Sequence, residues 1–210
     1  MAIKLNFTEA TGDITGRSKM WGFPDLPYDM EYPEIAFDDD NGMPSTDPMT
    51  FLCQIRLSDI AQLDAKGLLP HTGMLYFFAD IDYFLGNHDA DSPGMGQWEM
   101  PRYRVLYSPT CDNLHTHKVV NSDGTPFGLP AQGITFSICD DKESGFKLLG
   151  KPFFDEIEEQ YPKCLSLLQV DCDDDCNLQF YDCGMLCFLL RPDDLAAQRW
   201  HRTLCYLHSF

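Results

Sequence analysis

The stretch CDDDCNLQFYDCGMLC, residues 172–187, carries four thiols, Cys172, Cys176, Cys183 and Cys187, with three, six and three residues between them. Four thiolates at matched intervals are the donor set of a structural zinc ion. The spacing argues for the other reading, four small core or loop side chains. Zinc pairs sit on tight knuckles. Cys183 and Cys187 instead fall at the entry to and inside an apolar run, and four residues of strand span roughly 13 Å. Aspartates crowd Cys172 and Cys176 and disfavour the thiolate form. The nine cysteines are an odd number in a chain of 210 residues, unlike a short secreted disulfide framework, so reduced thiols are expected.

Two further constellations have ligand character. CDNLHTH holds Cys111, His115 and His117, whose histidines share a face if the segment is extended; surface histidines are the plainer reading. The acidic runs Asp38–Gly42 and Asp171–Asp175 suggest calcium. With Gly42 as position six of an EF-hand loop, Phe37 stands at position one and Pro48 at position twelve, so the pattern fails. The second run lacks the required glycine. No phosphate-cradling glycine motif and no G-x-S-x-G elbow occurs. Neither a catalytic set nor a cofactor is expected.

Charge is the strongest bulk signal. Fifteen Lys and Arg face 33 Asp and Glu, a net charge of -18. Nucleic acid and anionic membrane are poor partners for such a surface, whereas a basic protein would be steered toward it. No apolar run approaches the roughly 18 residues of a membrane span. The N-terminal MAIKLNFTEATGD has no apolar signal core. A cytoplasmic location is the expectation.

The elements that must hold these residues follow from an internal repeat. KMWGFPDLPYDMEYP (19–33) returns as KLLGKPFFDEIEEQYP (147–162), LCQI (52–55) as LLQV (167–170), GMLYFF (73–78) as GMLCFL (184–189), and RYRVLYS, from Arg102, more loosely as RTLCYLHS, from Arg202. The shared order predicts one domain over 1–210, built from halves at about 17–108 and 145–209 joined by 109–144. Cys187 then stands where the first half has Tyr76, and Leu168 where it has Cys53, as interchangeable core residues would.

The apolar runs read as strands, with HKVV and ITFSI as further strands in the connection. PFFDEIEEQYP reads as a helix, as do DDLAAQRWHR from an aspartate cap and DIAQLDA capped by Ser58. EIAFDDDNGMPSTDP and GNHDADSPGMGQWEMP read as loops. The expected fold class is α+β, mainly antiparallel sheets with a few short helices.

Ser18-Lys19, Gly22, Pro24, Leu26-Pro27, LCQI and GMLYFF, followed by Leu167–Asp173 and Asp182-Cys183-Gly184, resemble the motif series of the YwqG-like family, a bacterial domain of unknown function. The resemblance frames residues from about 17 to about 196. Phe180-Tyr181 replaces the family's Trp-Gly, Cys172 a serine and Cys187 a tyrosine. It implies an α+β fold of two similar halves and brings no established activity.

Gln54 and Gln169 recur inside apolar strands, where a buried amide needs partners. They either clamp backbone near the turn of their own half or meet between the halves. The leading functional expectation is a non-enzymatic acidic domain that binds a basic protein, for example neutralising a cationic bacterial toxin. The alternative is a small-ligand or metal-binding protein, in one version an enzyme, with a pocket between the halves lined by Gln54, Gln169, Asp171, Asp173 and Asp182.

Overall fold

The computed structural model describes residues 1–38, 41–121 and 123–210. In chain order its first strands are β1 (Ala2–Glu9), β2 (Lys19–Met20), β3 (Asp25–Pro27), β4 (Glu34–Asp38), β5 (Pro44–Pro48), β6 (Thr50–Arg56), β7 (Met74–Ala79), β8 (Gly96–Trp98) and β9 (Tyr103–Ser108). There follow β10 (Leu114–Thr116), β11 (Gln132–Cys139), β12 (Lys147–Leu148), β13 (Leu165–Asp171), β14 (Met185–Leu190) and β15 (Leu204–His208). The α-helices among the described residues are α1 (Leu57–Ile60), α2 (Asp155–Gln160) and α3 (Pro192–Ala196).

The expected α+β class is therefore corrected: the fold is mostly β. Eleven strands form one antiparallel sheet in the order β8-β15-β14-β13-β12-β1-β11-β2-β6-β7-β9. Its two end strands, β8 and β9, are neighbours in the chain, with only residues 99–102 between them. Tyr103 Oη also donates to Thr203 O (2.9 Å) across the seam. The sheet thus curls into a nearly closed barrel, which leaves little open edge. The helical stretches reach one or two turns; Pro152 and Pro162 flank α2.

The two sets β2-β6-β7-β9 and β12-β13-β14-β15 pair in the same order. Lys19 and Met20 face Gln54 and Cys53; Lys147 and Leu148 face Gln169 and Leu168. Each set carries a register shift at the same place, between Phe51 and Cys53 and between Ser166 and Leu168. The central pair β1–β11 crosses between the sets. β1, which precedes the first set in the chain, pairs with β12 of the second, and β11, which precedes the second, pairs with β2 of the first.

Two glycines mark that crossing. A Cβ on Gly22 (φ +73) would stand 2.6 Å from Ala131 Cβ, and one on Gly150 (φ +84) would stand 2.8 Å from Ala2 Cβ. Both positions combine a left-handed backbone with the start of the strand contributed from the other half.

Strands β7 and β14 are buried along their whole length. Their side chains alternate between the barrel interior (Leu75, Phe77, Ala79; Leu186, Phe188, Leu190) and an outer layer. Burial on both faces explains why they read as continuous apolar runs. The interior is one apolar core that includes Ile3, Leu5, Ile134, Trp21 and Leu149.

Several local expectations change. Within the stretch read as a loop, β4 and β5 pair as antiparallel strands; Asp39 and Asp40 of the acidic run lie outside the described residues. β8, with the buried Trp98, emerges from the stretch read as an exposed excursion. HKVV is not a strand: β10 ends at Thr116, and Val120 makes an isolated bridge to Pro126. Arg56 precedes α1 and Arg191 precedes α3, so neither Ser58 nor an aspartate caps them. Before α1 the hydroxyl of Ser18, just ahead of β2, accepts from Arg56 N (2.9 Å); in α3, Pro192 takes the first helical position, where its missing N–H is no loss.

Candidate functional site

The recurring glutamines each serve their own half. Gln54 Oε1 accepts from Asp25 N (2.8 Å), and its Nε2 donates to Arg17 O (2.8 Å) and Asp25 Oδ2 (2.8 Å). Gln169 Oε1 accepts from Phe153 N (3.0 Å), and its Nε2 donates to Gly145 O (2.8 Å) and Glu143 O (3.3 Å). Both side chains are fully buried. Each amide pins the turn that leads into the outer cover of its half.

The covers differ. In the first half Asp25, fully buried, accepts from Lys19 Nζ (2.7 Å), Gly16 N (2.9 Å) and Thr116 Oγ1 (2.8 Å), while its carbonyl accepts from Tyr76 Oη (2.7 Å). This network holds β3 against β10, with Thr116 opposite Asp25 and His115 opposite Leu26. The ladder and the loop after it cover Met49, Phe51, Met74, Tyr76 and Phe78. In the second half Phe153 and Cys187 take the places of Asp25 and Tyr76, and the anchor is gone. The buried Lys147 ammonium instead donates to Glu143 O (2.6 Å) and Asp141 O (2.8 Å), and its burial pulls its pKa below the ordinary lysine value. The cover there is α2, packed through Phe154 and Ile157 on Met185, Cys187 and Leu189.

The first half's cover leaves a groove of about 1370 Å³. One wall is Pro27–Glu34; the other is β9, through Arg104, Leu106 and Ser108, and the turn to Asn113. Four carboxylates line it, Asp29, Glu31, Glu34 and Asp112, against one guanidinium, Arg104. Among the described residues none of the four forms an ion pair. Two of the four acids of α2 are paired with lysines: Asp155 with Lys142, and Glu158 with Lys142 (2.8 Å) and Lys151 (2.5 Å).

The groove's aromatic side is built on the two histidines. Tyr28 stacks on His115 (4.3 Å, 11°), and Tyr32 stacks on His117 (5.0 Å, 23°) while its hydroxyl donates to Met49 O (2.7 Å). His117 is held below the ordinary histidine pKa, first by burial and then by His115. Each stacked on one tyrosine, these rings serve as supports for the groove wall.

The residues singled out in sequence lie apart from it. Gln54 sits in the first half's clamp and Gln169 in the second's, where Gly145 N also donates to Asp171 (2.8 Å). Burial raises the Asp171 pKa. Asp173 accepts from Asp175 N (3.0 Å) at a 3-10 turn, and Asp182 is an exposed side chain whose backbone bonds Ser209. None of the five lines the groove.

Nor do the thiols converge. Cys172 Sγ accepts from Phe180 N (3.3 Å), Cys176 Sγ lies 3.6 Å from Asp173 O, Cys183 is exposed, and Cys187 is buried beneath α2. Burial, then Asp173, pushes Cys176 up to about 12, and burial does the same for Cys187. Among the described residues no three His, Cys, Asp or Glu side chains are gathered as a metal ion requires. No helix there is long and apolar enough to cross a membrane.

Sequence reasoning passed over the groove residues. The signal was PYDMEYPE, residues 27–34, which interleaves aromatic and acidic side chains without one lysine or arginine. A family model described as Domain of unknown function (DUF1963) matches residues 18–143 and 131–208. No curated protein matches the chain.

Proposed function

The chain belongs to the DUF1963 family, a domain of unknown function, and from that premise we propose that it is a binding domain whose groove takes a cationic segment of a protein partner. The observation that carries this reading is the set of four carboxylates on an aromatic wall, left without ion pairs while Asp155 and Glu158 of α2 have lysine partners. Carboxylates left unpaired beside a preformed cleft attract basic side chains and offer partners for their N–H groups. The net charge of -18 adds long-range steering that salt weakens. A basic toxin neutralised in this way would be one such partner. The YwqG-like placement within the family, and descent of the two halves from a duplication, belong to the same reading; the Gly22/Pro24 and Gly150/Pro152 pairs and the matched registers support them.

The test compares two charge-matched sets, each removing three carboxylates. Asp29→Asn with Glu31→Gln and Asp112→Asn removes groove acids. Asp155→Asn with Glu156→Gln and Glu159→Gln removes as many from the second half. Binding of a fluorescein-labelled peptide alternating arginine and glycine, read by anisotropy, should weaken about tenfold or more for the first set and far less for the second. Equal losses would reduce the effect to bulk charge and sink the groove as the site.

A further inference from the structure

The exposed ring in the groove stands among carboxylates, and that combination discriminates between the two cationic side chains a partner can offer. Tyr28 is 79% exposed, yet it is held in place by its stack on His115 (4.3 Å, 11°). His115 is itself placed by the β10–β3 ladder, opposite Leu26. With one face on the histidine, the other face of Tyr28 is open, and Asp29 and Glu31 follow it along the same wall.

A guanidinium is planar and weakly hydrated, so it can stack on a ring while its edge donates in plane to carboxylates. An ammonium is compact and strongly hydrated and gains less from such a site. The opposite wall follows the outward side chains of β9, Arg104, Leu106 and Ser108, and then Asp112. An occupant seated along it runs extended, beside the strand.

We propose that the groove selects arginine: a guanidinium from an extended segment along β9 stacks on the open face of Tyr28 and donates to the groove carboxylates. This rests on the cation-binding reading above and adds the side chain that the site prefers.

Two labelled peptides test it, one alternating arginine with glycine and one alternating lysine with glycine, against the wild type, Tyr28→Phe and Tyr28→Leu at low ionic strength. The arginine peptide should bind about fivefold more tightly than its lysine twin, the size of one exposed cation–π contact. Tyr28→Phe should keep that ratio. Tyr28→Leu should bring it to about one by weakening the arginine peptide alone. Equal affinities in the wild type, or a preference that survives Tyr28→Leu, overturn arginine selection. If both peptides still weaken when the groove acids are neutralised, the cation-binding reading stands without it. Binding of neither peptide overturns both. The side chain of Tyr28 is exposed, so its variants should fold, and matching circular dichroism spectra check that.

Discussion

In one half of the barrel the outer face of β7 carries Met74, Tyr76 and Phe78 under a two-stranded ladder and a loop; in the other, β14 carries Met185, Cys187 and Leu189 under a helix. The sheet beneath is the same in pairing, register and bulge. The divergence follows from two linked exchanges. Where Asp25 and Tyr76 stand, a charged network and a hydroxyl fix the chain as β3. Where Phe153 and Cys187 stand, neither anchor exists and the chain coils into α2 over apolar neighbours. Framework and cover are separable, and the groove belongs to the cover.

The sharpest way to break this comparison is to remove the anchor. Asp25→Ala leaves the Lys19 ammonium buried without its carboxylate, together with the unpaired Gly16 N–H and one stranded Gln54 N–H. Loss of one partner of a buried pair typically costs about 3–5 kcal/mol, so the urea midpoint should fall steeply. The matched change Phe153→Ala trims a side chain that is 38% exposed and should cost no more than about 1 kcal/mol. Similar losses would mean that Asp25 does not set the two covers apart.

Next come the matched glycines, where the halves should agree. Gly22→Ala and Gly150→Ala each force a Cβ into a left-handed residue and against an alanine of the incoming strand. Each should destabilise by about 1–3 kcal/mol, measured by the same denaturation curves. Ala131→Gly should restore part of the loss in Gly22→Ala, since it relieves the contact but not the backbone strain. A large loss at one glycine and none at the other would show that the halves are not built alike.

Part of the framework was legible in the chain. Repeated apolar runs marked β6 and β7 in one half and β13 and β14 in the other, and the glutamines marked their clamps, because burial on both faces and an amide in a strand leave plain signatures. The two-residue strands β2 and β12 left no such run. The cover was not legible. Whether 25–34 becomes ladder or helix depends on Thr116 and Tyr76, which are far from it in sequence. The exchange of β1 and β11 between halves was equally hidden, since nothing local tells a strand which neighbour it will meet. The cysteines were conspicuous for the opposite reason: their spacing is regular along the chain, but β14 carries Cys187 under α2 while Cys183 stays at the surface.

A smaller effect tests the histidine supports of the groove wall. His117 titrates below its ordinary value of 6.5 in the folded chain, through burial first and His115 second. The unfolded chain therefore takes up the proton earlier as the pH drops. The stability this group contributes is present above about pH 6.5 and is lost as the pH falls through the window below it. Denaturation curves at pH 7.5 and 5.5 should show a drop for the wild type that His117→Gln reduces. Loss of equal size in both would mean that the ring is not held neutral by its surroundings.

The smallest effect should come from the ion pairs of the second half, and it bears most directly on whether charge or shape makes the site. Lys142→Ala with Lys151→Ala strips Asp155 and Glu158 of their partners. These pairs are largely exposed, and such pairs contribute roughly 0–1 kcal/mol, so urea unfolding should hardly move. The variant is also two charges more acidic. Those charges sit on a helix outside the groove, and at physiological salt exposed charges are screened over about 8 Å. Affinity for the arginine peptide should therefore stay within about twofold of the wild type. A severalfold gain would mean that any unpaired acidic surface of this protein serves, and that the wall of Tyr28 and Tyr32 adds nothing that net charge does not already supply.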